Sequence, residues 1–172
     1  MQIDIGFGDA ITPGVEAVEF PLRLTTPALP APKLNAYPRE TVIAEKLEAM
    51  VALGMANSRM KDFYDLFTLA KNFSFSGAVL VRAVQNTFER RAAPLPDNAP
   101  VALTAEFSTD AAKTIQWKNF TKRVGGPAVE LNLAVVIERL SRFLLPVLTA
   151  ANTREEFQKS WVAGKTWRAK SK

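Results

Sequence analysis

Three side chains stand out because their types and positions conflict with their surroundings. In the helical pattern over 38–53, Val42, Ile43, Leu47 and Met50 form an apolar stripe. A wheel at ~100° per residue sets Lys46 inside that stripe, with Glu45 and Glu48 outside it. In the next helical pattern, over 58–73, the stripe is Phe63, Leu66, Leu69, Ala70 and Phe73, and Asp62 falls between Leu66 and Leu69 with Asp65 at its edge. A buried charge costs several kcal/mol unless it is paired, so Lys46 and Asp62 are expected to meet, or to share a bound anion. The third residue is Asp4, a carboxylate between Ile3 and Ile5 in an alternating, strand-like stretch. Strands disfavour Asp, which makes it a candidate metal-binding or basic carboxylate on a sheet. Arg59 and Lys61 flank Asp62 and have the chemistry of phosphate ligands, Arg as a bidentate fork and Lys as a point charge.

Each of these has a plainer reading. Asp62 falls in the first turn of its helix, where a carboxylate is favoured by the helix dipole. Lys46 can run its stem to water. Asp4 fits an exposed sheet edge, Asp9 a local turn, and Lys61 a solvated helix start.

The rest of the composition narrows the chemistry. The chain has neither cysteine nor histidine. Disulfides, thiolate nucleophiles, imidazole acid–base catalysis and His-ligated zinc are therefore excluded. No apolar run approaches the ~18 residues of a membrane span, and no basic-then-apolar leader opens the chain. A reducing cytoplasm is the expected setting. No glycine-rich phosphate loop of the Walker type is present, and Gly125-Gly126 before Pro127 reads better as a helix break. Charge is uneven. Residues 1–110 carry 10 basic and 13 acidic side chains, a net of −3; residues 111–172 carry 12 and 4, a net of +8. A basic half fits either a polyanion partner or a solvated helix surface with a lysine-rich tail. Trp117, Trp161 and Trp167 lie among these cations, a mixture suited to base stacking, although Trp117 also suits a core and the later two suit docking on the body.

The elements that must position these groups follow from periodicity. Strands are expected over 2–6 and 15–24, with a short one over 34–37 after a proline-rich loop. Helices are expected over 38–53, 58–73 with Ser58 as cap, 76–91, 109–124, and 128–148 with a kink at Pro146. The expected class is α+β, mostly α, arranged as a β-rich region over 1–37, a helical domain over 38–150 and a basic, tryptophan-containing tail over 151–172. The strands look too few for a self-sufficient sheet.

Three stretches carry a family resemblance. Gln2-Ile-Asp-Ile-Gly-Phe-Gly-Asp9, then Tyr37-Pro-Arg-Glu-Thr-Val-Ile-Ala-Glu-Lys46, then Arg59-Met-Lys-Asp-Phe-Tyr-Asp-Leu66 resemble the AbiEii/AbiGii toxins. The pair Ala-Glu-Lys and Arg-x-Lys-Asp-x-x-Asp-Leu at this separation is the most specific part. Leu103-Thr-Ala-Glu-Phe107 and Gln116-Trp117 are also similar to the family. The resemblance implies a nucleotidyltransferase-like toxin of a type IV toxin–antitoxin or abortive-infection system. It implies a polymerase-β-like core, here an incomplete sheet remnant, followed by a helical bundle. It implies transfer of a nucleotide from an NTP to an RNA acceptor, tRNA in some members, with Mg²⁺, and an antitoxin partner.

Residue by residue, Lys46 resembles the family's active-site lysine, Asp62 its late aspartate, and Asp4 the sheet carboxylate at the metal. Arg59, Lys61 and Asp65 become nucleotide-binding candidates. The family's Gly-Ser turn and Asp-x-Asp pair find no counterpart here, so the chain is expected to lack the front of the active site and to be inactive alone. A second function class remains beside this one: a non-catalytic basic helical module that binds RNA or an acidic antitoxin.

Overall fold

The computed structural model describes residues 10–19 and 31–169. The expected strand at 2–6, Asp4, Asp9 and most of the proline-rich loop lie outside the described residues. What is described is α+β and mostly α, with six helices and two small antiparallel sheets.

The first sheet pairs β1 (Glu16–Glu19) with β2 (Lys33–Ala36), in the register Val18 opposite Leu34. A helical succession follows: α1 (Arg39–Leu53), α2 (Met60–Asn72), α3 (Gly77–Arg90), the short α4 (Ala105–Thr109), α5 (Ala111–Val124) and α6 (Leu133–Thr153). The second sheet orders β3 (Phe75–Ser76), β4 (Lys159–Trp161) and β5 (Trp167–Ala169), all antiparallel. No helix among the described residues is long and apolar enough to cross a membrane.

α6 is the axis of the core. It buries Val136, Ile137, Leu140, Phe143, Leu144 and Val147 against α2, α3 and α4, and α1 packs mainly on α3. Pro38 precedes α1, where its missing N–H costs no helical bond. Gly54 closes the helix at φ 49°, a region that penalises side-chain-bearing residues.

Several element boundaries differ from the sequence expectation, each for a local reason. Ser58 does not cap α2. The N-cap is Arg59, without a side-chain cap bond, and Asn57 forms a local turn just ahead of it, its side-chain oxygen accepting from the Arg59 N–H at 2.9 Å. α5 starts at Ala111 because the Asp110 carboxylate accepts from the Lys113 N–H at 2.9 Å. The residues before it form the separate α4. The stretch over 126–130 is a 3-10 turn, and α6 begins where the Asn132 side chain accepts from the Ala134 N–H at 2.7 Å. α6 then runs through Pro146 to Thr153.

The three tryptophans are structural. Trp117 is buried and donates to Leu131 O, Trp161 is fully buried and donates to Ala70 O, and Trp167 donates to Phe143 O. Trp161 and Trp167 pack around Phe143, with ring centroids 4.7 and 5.8 Å away. Their polar handles and faces are thus occupied, which removes them as stacking platforms for bases.

Candidate functional site

α1 and α2 meet at the residues that the apolar stripes single out. The Lys46 ammonium pairs with Asp62 Oδ1 and lies 3.0 Å from Asp65 Oδ2. Asp62 also takes the Arg59 guanidinium on its second oxygen, at 3.1 Å, and Asp65 takes Lys61 at 2.6 Å. Three cations and two carboxylates therefore form one chain of contacts: Arg59, Asp62, Lys46, Asp65, Lys61.

Burial is graded along this chain. The Asp62 side chain is 8% exposed and Lys46 19%, while Arg59 is 60% and Lys61 73% exposed. The carboxylate is thus fixed in the interior and the arginine lies where a ligand can reach it. Burial pulls the Lys46 ammonium toward a lower pKa. Hydrogen bonds to Asp62 and Asp65, with their negative charges, outweigh that pull and hold it above the ordinary lysine value of 10.5. Lys46 is a fixed positive charge at neutral pH and no general base.

An open cleft of about 560 Å³ lies over this network. Tyr37, just before α1, and Thr41, Val42, Glu45, Lys46 and Ala49 on it line the cleft. Arg59 and Asp62 close one end, and Arg91, just past α3, the other. Thr41 also anchors the chain near residue 12. Its hydroxyl accepts from the Thr12 N–H at 2.9 Å and donates to Thr12 O at 3.0 Å, while Asn86 donates to the Thr12 hydroxyl.

The structure thus brings Lys46, Asp62, Asp65, Arg59 and Lys61 together. Lys61 and Asp65 sit beside the cleft and do not line it. Asp4 lies outside the described residues. Sequence reasoning missed the Arg91 end. There the guanidinium pairs with Glu45 and reaches Glu48 at 3.4 Å. Glu48, expected on the outer face, is buried. The only signal for it was two glutamates three apart on α1, which marks a shared helix side without naming the partner.

A family model described as nucleotidyl transferase AbiEii toxin, type IV toxin–antitoxin system, matches residues 1–143. The chain belongs to the AbiEii toxin family. No curated protein and no solved structure matches it. The AbiEii match spans every residue of the ionic network and the whole lining of the cleft. It ends within α6, ahead of the β4–β5 hairpin. Membership of this AbiEii family, the toxin side of a two-component system, implies an antitoxin as partner.

Proposed function

We propose that the cleft binds the phosphates of an NTP and that the chain serves nucleotide transfer to an RNA acceptor such as tRNA, as the toxin of a type IV pair. The observation that carries this reading is the Lys46–Asp62–Arg59 network at the edge of an open cleft. Nucleotide transfer joins an acceptor hydroxyl to the α-phosphorus and releases pyrophosphate, so negative charge builds on the departing phosphates. Fixed cations at that place stabilise it without reorganising. Arg59 has more N–H donors than Asp62 uses and grips phosphate oxygens. Asp62 keeps Lys46 protonated and aimed. Asp65 and Lys61 support the same pair from the side.

Magnesium comes with the family reading, and the described residues do not fit it. No three carboxylates gather among them, and Asp62 and Asp65 are already neutralised by Lys46, Arg59 and Lys61. Asp4, assigned to the metal by resemblance, lies outside them.

The 172 residues contain no Asp-x-Asp pair, so nucleotide binding is a more direct readout than turnover. Calorimetric titration with ATP and GTP is expected to show binding that weakens roughly ten-fold or more, about 1.4 kcal/mol, in Lys46→Ala and in Arg59→Ala. Equal affinity in both variants overturns the reading.

A further inference from the structure

The +8 excess of residues 111–172 does not form one basic face. The structure distributes it. Arg139 donates to Gly164 O, Arg142 pairs with Glu138, and Lys159 lies over the Phe157 ring. Lys113 is buried in the interior. Another part lies in the last turn of α5, where Arg123 faces the start of α2.

Between that turn and the start of α2 runs a groove of about 520 Å³, lined by Arg59, Lys61, Gln116, Asn119, Phe120 and Arg123, with Ser58 and Met60. No carboxylate lines it. Arg123 is exposed and has no ion-pair partner among the described residues. Arg59 lines both this groove and the cleft. One guanidinium therefore stands at the junction of two depressions, the first floored by an ion network and the second lined by three cations and neutral side chains.

We propose that this groove is the path of a nucleic-acid strand, whose phosphates follow Arg123 and Lys61 and whose end is delivered past Arg59 into the cleft. The proposal rests on the cleft as the nucleotide site. The lining supports it: phosphate and sugar oxygens are contacted by Arg and Lys and by neutral hydrogen-bonding side chains such as Ser, Asn and Gln. Gln116 and Asn119 supply the latter. Ser58 adds a hydroxyl. An acidic protein would make the same use of Arg123 and Lys61, but the junction with the cleft has a purpose only for a strand that ends there.

The test uses charge-matched variants on one helix. Arg123→Glu and Lys118→Glu each change the charge by the same amount. They lie five residues apart, about 140° around α5, and only Arg123 lines the groove. Fluorescence anisotropy with a labelled single-stranded RNA of mixed sequence, and with DNA of the same sequence, is read across a salt series.

Arg123→Glu is expected to weaken strand binding roughly ten-fold. It should lower the slope of log affinity against log salt by about 0.7 or more, the loss of one phosphate contact or more. Lys118→Glu is expected to change both little, and ATP affinity should be unchanged in either. Tighter RNA than DNA binding identifies the strand as RNA, while parity leaves a generic strand path.

Equal losses in both variants, or none in either, overturn the proposal. So does poly-glutamate binding as tightly as RNA with the same dependence on Arg123, which assigns the groove to an acidic protein. The two readings fail separately. Strand binding lost with Arg123→Glu in a chain that binds no nucleotide removes the cleft reading and leaves the groove. Nucleotide binding lost with Lys46→Ala in a chain that binds no strand does the reverse.

Discussion

The buried ammonium of Lys113, on α5, donates to the main-chain carbonyl of Asn57 at 3.0 Å, in the loop that delivers Arg59 to the cleft. Asn57 in turn accepts from the Arg59 N–H, and Arg59 holds Asp62. A relay of short contacts thus links α5 to the ion network on α1 and α2. Lys113→Met, which keeps the stem and removes the donor, is expected to cost about 2 kcal/mol, the scale of a charged hydrogen bond to a buried acceptor. Urea unfolding reads that loss. The relay makes a second demand: Arg59 must become more mobile. A drop in the ¹⁵N heteronuclear NOE at Arg59 Nε, with core amides unchanged, is the expected result. An ordered Arg59 in this variant would show that Lys113 only supports the fold.

Lys46 and Asp62 should be energetically coupled. Each also has a second partner, Asp65 for Lys46 and Arg59 for Asp62. Removing either one therefore costs less than stripping a buried charge of all its partners. A double-mutant cycle with Lys46→Met and Asp62→Asn is expected to give an interaction of about 1–3 kcal/mol in denaturant unfolding. Strict additivity would mean that the pair contributes nothing jointly to folding.

The raised pKa of Lys46 fixes the sign of a pH effect. The folded value lies above the unfolded value of 10.5, so the stabilisation from its charge is complete below about pH 10.5 and is lost as pH rises through the folded pKa. The difference in stability between wild type and Lys46→Met is expected to be flat from pH 7 to 10 and to shrink above that. A difference that shrinks between pH 7 and 9 would contradict a lysine held charged by two carboxylates.

Gly77, at the start of α3, packs closely against the segment that leads into β4. A Cβ there would stand 2.4 Å from the Phe157 ring and under 3 Å from two backbone oxygens, those of Phe157 and Lys159. Main-chain atoms yield less readily than side-chain ends, so Gly77→Ala is expected to cost about 1–3 kcal/mol. It should also shift the fluorescence of Trp161 toward the solvent-exposed range. Unchanged stability and emission would mean that the hairpin is free to move.

The meeting of Lys46 and Asp62 was legible in the sequence because each charge breaks a regular apolar period, and an inward charge needs a counterion. Asp65 followed from its spacing on the same helix side as Asp62, and Arg59 and Lys61 from flanking Asp62 with phosphate-binding side chains. Arg91 was not legible. It follows the end of α3, and its encounter with Glu45 and Glu48 depends on how α3 crosses α1, which no period within either helix encodes. The helix starts at Asp110 and Asn132 were missed for a different reason. Each cap is a single polar residue next to residues that could equally extend the helix. β3 is two residues long, too short for any alternation, and forms only because β4 returns to pair with it. The tryptophans of the basic C-terminal stretch were ambiguous by composition, and packing around Phe143 decided them.

The carbonyl of Ala70, in the last turn of α2, accepts from the Trp161 indole and from the Gly164 N–H. The helix that presents Asp62 is thereby tied down by a residue 91 positions further along the chain. During synthesis α2 leaves the ribosome long before that tie exists. The acid–cation array is left without its anchor until the hairpin has emerged.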